Sequence, residues 1–393
     1  MGSMTPEERT RIAGLRVLFV SHGYGYGGDL MYFGEIFRCF RKLLPRMAVV
    51  VDHETRFLNR YEIDLLPLMR LRKWPIKRTT ADGQDYSTEI AIPDPTLLGR
   101  LLRDRADVFV TIEFTLPALM TTLTATLRRK KRLVLLVESD PAGRGGSSHP
   151  LVRSIKRWAV QRAHVIQTNN EKGRRYLVED LGAPPSAVRV APYLTSRPPG
   201  PEPTIAAGEG PLRILFANSI NPRKGLRELL AALALLDPAM REQIALTVVG
   251  DGAERMELEQ RAKEWGIREQ IRFVGRKQYS ELGEFYASAE VLAIPSLADY
   301  RSLAGFEGLA YGLALLSSRH DGATEETVED GVNGFVIEPH DAVGLAAQIS
   351  TLVSDRDMLL RMRRASWRRY QESFSVEAIA ENIAESVAIA ARR

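Results

Sequence analysis

Three short stretches hold residue types that could handle an anion. In "NPRKGL", residues 221–226, Lys224 comes just after an apolar run and just before a helix-forming one. A cation in that place can pair with a diphosphate, and Arg223 beside it offers a second, bidentate donor. In "DYRSLAGFE", residues 299–307, Asp299 and Glu307 flank Ser302. A serine ahead of a helix is a natural N-cap and leaves first-turn N–H groups for an anion. Two carboxylates near one helix start can also accept hydrogen bonds from hydroxyl groups. The apolar neighbours of Glu307 argue against a merely solvated side chain, because an unpaired buried carboxylate is costly. In "SHGYGYGGD", residues 21–29, Gly23, Gly25 and Gly28 fit the spacing of a dinucleotide-binding loop. An acid, Asp52, lies about twenty residues further on, as such a site needs. Taken singly, each stretch also reads as a turn with solvated charges.

The elements around these stretches repeat one pattern. Apolar runs at residues 15–21, 47–52, 106–113, 132–139 and 163–169 alternate with helical segments. Residues 195–211 are rich in Pro and Gly and read as a flexible interdomain linker. The alternation then restarts, with strands expected at 213–219, 244–252, 270–276, 290–296 and 313–318. Such alternation implies parallel sheets covered on both faces. From residue 341 onward the pattern is helical, ending in an amphipathic segment over 375–393. Two doubly wound halves imply a cleft between them, and ligands in such sheets bind beyond the carboxyl ends of the strands.

The 393 residues suffice for two domains, and 45% hydrophobic with 26% charged residues is an ordinary globular composition. The chain contains no run long and apolar enough to cross a membrane, and the stretch "MGSMTPEERTR" lacks the apolar core of a secretion signal. The single cysteine, Cys39, excludes an internal disulfide and reads as a buried thiol in a reducing, cytoplasmic setting. The net charge of +5 is unevenly spread: residues 1–205 hold 32 Lys and Arg against 21 Asp and Glu, the remainder 22 against 28. Basic runs at 70–78 and 128–132 fit a solvated face or an anionic lipid surface. Nucleic acid ranks below both, since aromatic residues are sparse among these bases. The pair Asp355 and Asp357 has a metal-binding spacing but reads as a helix start. His22 and His53 read as structural.

These motifs together resemble the GT-B-fold glycosyltransferases, most closely the retaining enzymes of glycosyltransferase family four, also called glycosyl transferases group 1. The matching features are the Gly27–Gly28 loop after the first strand, the Lys224–Gly225 pair, and Asp299 and Glu307 with seven residues between them, followed by "GLAYGLALLSS". The downstream "DGATEETVEDGVNGFVIEP" and the closing helix match as well. The resemblance implies two Rossmann-like domains facing across a cleft. Residues 1–200 would bind the acceptor and 201–370 the nucleotide-sugar donor, and 371–393 would form a helix crossing back to the first domain. It implies transfer of a hexose-type sugar from a UDP- or GDP-type donor to a hydroxyl of a glycan, a lipid-linked acceptor or a small molecule, without a metal or other cofactor. Glu307 would hold the ribose, Asp299 the transferred sugar, and Lys224 the leaving diphosphate. Ser302, Leu303 and Ala304 would present backbone N–H groups, Gly28 would let the loop approach the phosphates, and Val274, Gly275 and Arg276 would flank the base.

The chain departs from that pattern in three places. The first acid is Asp299 where Glu is usual. Ser219 stands where the family carries Arg, with Arg223 or Arg301 as its stand-in. Glu138 stands where the family often has His near the reaction centre. Two other readings stay open at this point: an NAD-dependent oxidoreductase using the glycine loop, and a GT-B-like nucleotide-sugar epimerase or non-catalytic scaffold.

Overall fold

A computed structural model of the chain describes residues 4–20, 34–52, 65–69, 71–79, 85–138, 150–206, 208, 210–299 and 301–393. The chain divides into two compact units, Met1–Leu194 with Val376–Arg393, and Thr195–Ser375.

In the first unit the elements are α1 (Pro6–Ala13), β1 (Val17–Val20), α2 (Gly34–Leu43), β2 (Met47–Asp52), β3 (Leu65–Met69), β4 (Leu71–Thr79), β5 (Asp85–Pro93), α3 (Thr96–Arg103), β6 (Val108–Ile112), α4 (Leu116–Leu127), β7 (Arg132–Val137), α5 (Pro150–Val160), β8 (Val165–Thr168), α6 (Glu171–Arg175) and β9 (Val188–Val190). Seven strands form one parallel sheet in the order β3-β2-β1-β6-β7-β8-β9. Its central strands are buried on both faces, as the unbroken apolar runs require. Strands β4 and β5 pair as an antiparallel hairpin that the sequence reading did not anticipate. Arg72, Lys73, Lys77 and Arg78 make β4 look like a charge run rather than a strand.

The second unit comprises β10 (Leu212–Ala217), α7 (Leu226–Leu235), α8 (Pro238–Arg241), β11 (Ile244–Val249), α9 (Arg255–Glu264), β12 (Ile271–Gly275), α10 (Tyr279–Ser288), β13 (Val291–Ile294), α11 (Ala304–Ala310), β14 (Ala314–Ser318), α12 (Thr324–Thr327), β15 (Gly334–Ile337), α13 (Ala342–Ser354) and α14 (Arg356–Arg369). Its six parallel strands run β12-β11-β10-β13-β14-β15. The order reverses between β10 and β13, and that switch point is where a doubly wound sheet opens a crevice for a ligand. Asp355 caps α14 by accepting the Met358 N–H at 2.7 Å, the structural role expected of it.

The closing helix α15 (Val376–Arg392) belongs to the first unit. It buries Ile379, Ile383 and Val387 at helical spacing. Polar contacts pin it as well. The Ser386 hydroxyl donates to the buried Gln167 at 2.7 Å, and Arg189 donates to the Asn382 carbonyl at 2.7 Å and pairs with Glu385. Cys39 is buried, as expected, with its Sγ 3.8 Å from Glu377 on this helix.

The segment read as a flexible linker is instead bound along the second unit. Prolines lack N–H groups, so its carbonyls need side-chain donors. Tyr311 donates to the Pro198 carbonyl at 2.8 Å, and Arg363 donates to those of Thr204 and Ala206 at 3.0 and 2.9 Å. Gly200 passes so close to Gly283 that an added Cβ would lie 2.7 Å from its Cα. Among the described residues no helix is long and apolar enough to cross a membrane.

Candidate active site

The site of the second unit is built from three loops at the carboxyl ends of its strands. After β10, a single 3-10 turn over Pro222–Lys224 ends at Gly225, whose φ is +71°. A side chain there would place its Cβ 1.8 Å from the Pro295 carbonyl oxygen, so only glycine lets this loop press against the one that follows β13. The Leu297 N–H donates to the Arg223 carbonyl at 2.8 Å and joins the same two loops. Lys224 and Asp299, far apart in sequence, thereby form an ion pair, with the Arg223 guanidinium 3.3 Å from the other carboxylate oxygen. Arg223 also donates to the Ala298 carbonyl at 3.2 Å. Both Lys224 and Asp299 are largely buried.

The third loop follows β14. The Asp299 N–H donates to the His320 carbonyl and its own carbonyl accepts from Gly322, both at 3.0 Å. This brings Asp321 under the pair. Asp321 is 2% exposed. One of its oxygens accepts from the Ser302 and Ala323 N–H groups at 3.1 and 2.8 Å, and the other, Oδ2, has no hydrogen-bond partner. Burial pushes its pKa from the ordinary 3.8 up to about 6, with the Asp299 charge adding to the rise and the two backbone donors opposing it. The sequence reading passed over this residue, and "HDGAT" offers only an acid before a glycine as a signal.

Ser302 does not cap the helix as expected. Helix α11 starts at Ala304 with Leu303 in the cap position and no side-chain cap. The Ser302 N–H, expected to face an anion, instead donates to the Asp321 carboxylate. Glu307 lies in the first turn of α11 and is buried. Its two oxygens accept from the Ser196 hydroxyl at 2.7 Å and the Tyr286 hydroxyl at 2.5 Å. Burial raises the Glu307 pKa while these two hydroxyls oppose the rise, and burial together with the Glu307 charge raises that of Tyr286. Arg301 is held elsewhere. Its guanidinium grips Glu326 with bonds of 2.9 and 2.8 Å, buried on both sides, and lies 4.2 Å from the centre of the Phe306 ring. Of the two proposed stand-ins for the missing arginine, Arg223 is the one beside Lys224.

Ser219 lies in the loop after β10 and accepts from Asn221 at 3.0 Å. Val274 and Gly275 end β12, where Gly275 has φ +80° and its carbonyl accepts the Gly250 N–H at 2.9 Å. In the first unit the Glu138 N–H, just beyond β7, donates to the Glu113 carboxylate at 2.6 Å. Glu113 follows β6 with φ +57°, the only positive value at a non-glycine among the described residues. Such backbone strain is typical of functional sites. The apolar run 106–113 ends on this acid, and its strand-like pattern gives no reason to single it out. Gly23, Gly25, Gly27, Gly28, His22 and His53 lie outside the described residues. Asp52 ends β2.

Comparison with known proteins agrees with this architecture. The family model described as "Glycosyl transferases group 1" matches residues 203–369, and the one described as "Glycosyl transferase 4-like domain" matches residues 27–193. D-inositol 3-phosphate glycosyltransferase of Geodermatophilus obscurus is 29% identical over 68% of this chain and 60% of its own length. Glycogen synthase of Mycobacterium tuberculosis is 25% identical over 66% of this chain and 64% of its own. The chain thus spans less than two thirds of the length of these curated relatives. HepE of Anabaena, solved in complex with UDP, superposes with a TM-score of 0.69 at 18% identity, covering 95% of this chain and 99% of that one. With both of its halves matched and two Rossmann-like sheets of GT-B type, the chain belongs to the group 1 glycosyltransferases, family four in kind.

Proposed function

We propose that the protein transfers a hexose-type sugar from a nucleotide-diphosphate donor to an acceptor hydroxyl, with retention at the anomeric carbon. The observation that carries this reading is the Arg223–Lys224–Asp299 cluster at the switch point of the second sheet. Two cations there can neutralise the charge that grows on a leaving diphosphate. Asp299 holds both of them in place until the donor's phosphates compete for them, and its carboxylate then becomes available to a hydroxyl of the transferred sugar. Glu307 is oriented by Ser196 and Tyr286, and each oxygen keeps a further lone pair for a ribose hydroxyl. With two cations available, the proposal includes no metal or other cofactor. UDP is the favoured nucleotide because HepE was solved with it. The acceptor, a glycan, a lipid-linked sugar or a small molecule, falls to the first unit, near Glu113 and Glu138. An anionic membrane in the cytoplasm is the surface that suits the basic first half.

A panel of UDP- and GDP-sugars, with NAD as control, tests the reading by thermal shift and nucleotide release. One nucleotide sugar should stabilise the protein, as any ligand of the native state does. Lys224→Ala should lower turnover about a hundredfold to a thousandfold in protein that still folds by circular dichroism. Stabilisation by NAD alone, or full turnover by Lys224→Ala, would overturn the proposal.

A further inference from the structure

Helix α4 is built inside out. Its buried positions are Pro117, Ala118, Thr121, Thr122, Thr124 and Ala125. Its exposed positions are Leu116, Leu123 and Leu127, at 39%, 36% and 60%. The threonines are tolerated inside because their hydroxyls bond carbonyls one turn back, Thr121 to Pro117 at 2.8 Å, Thr122 to Ala118 and Thr124 to Met120 at 2.9 Å. The three leucines are spaced seven and four residues apart and so share one stripe. A single exposed leucine is unremarkable, but an apolar stripe on the outer face reverses the usual amphipathic order.

The stripe leads into positive charge. Leu127 ends α4, and Arg128, Arg129, Lys130 and Lys131 follow. With Arg16, Arg103 and Arg105 they line a surface cleft of about 740 Å³ at the carboxyl ends of α3 and α4, and Leu127 is part of its wall. The acids lining that cleft are Asp104 and Asp107. Arg16 lies 3.8 Å from Asp107, and Lys131 turns inward to the carbonyls of Asp104 and Ala106. Arg103, Arg105, Arg128, Arg129 and Lys130 are exposed and make no ion pair among the described residues.

We propose that the leucine stripe of α4, continued by the cations at the ends of α3 and α4, is a docking surface for an anionic lipid bilayer. Charge complementarity selects this occupant. A second copy would bring two clusters of like charge together. Nucleic acid would meet the cations but leave the leucines without an apolar partner. An anionic bilayer supplies phosphates for one part and acyl chains for the other. The inference deepens the membrane association proposed above by naming a face and an apolar component. It does not depend on the transferase reading. Helix α4 runs from the carboxyl end of β6, which Glu113 follows, to the amino end of β7, where the cations gather.

The test is co-sedimentation of the full chain with vesicles of phosphatidylcholine, with and without phosphatidylglycerol, at low and high salt. Binding should require the anionic lipid and weaken with salt. Leu123→Ser with Leu127→Ser should weaken it about tenfold, and Arg128→Ser with Arg129→Ser and Lys130→Ser about a hundredfold. Melting points and nucleotide release from a soluble donor should not change, and that second readout separates this inference from the transferase proposal. The absence of binding to anionic vesicles at low salt would overturn it. So would binding that the leucine variant leaves intact, or self-association in lipid-free solution that the leucine variant abolishes.

Discussion

Replacing Asp321 by Asn should stabilise the protein increasingly as the pH rises. The carboxyl titrates near 6 in the native state against 3.8 ordinarily. The native state therefore keeps a proton that the unfolded chain has already lost. This contribution to stability is full below pH 3.8 and is lost as the pH rises through 6. Holding a charge at this position costs about 1.4 kcal/mol per pH unit of displacement, about 3 kcal/mol in all. Asn keeps the oxygen that accepts from Ser302 and Ala323. Its new amide hydrogens, placed where Oδ2 has no partner, add an offset that does not change with pH. The diagnostic quantity is therefore the difference between pH values. From pH 4.5 to 7.5, Asp321→Asn should gain about 2 kcal/mol over the wild type. Urea unfolding of both chains, followed by far-UV circular dichroism, measures this. If two transitions appear, the relevant one is the one that Arg301→Ala also shifts, because Arg301 lies in the same unit. The same difference at both pH values would refute the argument that this carboxyl is raised in the native state.

Arg301→Ala should cost about 3–5 kcal/mol, because it removes the guanidinium that grips the buried Glu326 carboxylate, and Arg301→Lys should recover only part of that in the same denaturation assay. Gly225→Ala should cost about 2 kcal/mol or more through its left-handed backbone and the contact with Pro295, and it should lower turnover by moving Lys224; a wild-type melting point would contradict the geometry. Glu307→Gln sets an amide against the Tyr286 hydroxyl, so donor affinity measured by calorimetry should fall about tenfold to a hundredfold.

Most of the framework was legible because buried parallel strands leave unbroken apolar runs, and the runs read at 132–139 and 244–252 hold the strands Arg132–Val137 and Ile244–Val249. The ligand side of the second unit was legible for a related reason. Strand ends at a switch point collect the residues that follow them, so Lys224 and Asp299 could both be assigned to the ligand side, although their ion pair was not read. What was not legible depended on partners distant in sequence. Ser302 looked like a cap because nothing in "DYRSLAGFE" shows that the helix would start at Ala304, with Leu303 in the cap position. Arg301 looked available because Glu326 lies in a later element. The Pro-rich segment looked loose because its donors, Tyr311 and Arg363, come more than a hundred residues later. Helix α4 defeated periodicity altogether, since its threonines occupy the places where leucines are expected.

The return of α15 to the first unit sets an order of events during synthesis. The second unit is an insertion in the first: all of Thr195–Ser375 leaves the ribosome before the strand ends holding Gln167 and Arg189 can meet Ser386 and Glu385. Domains generally fold as their residues emerge. Here the unit begun first is finished last, and its sheet waits with one side uncovered while its neighbour completes a core. A premature stop just before Val376 would therefore spare the later-made unit and damage the earlier one.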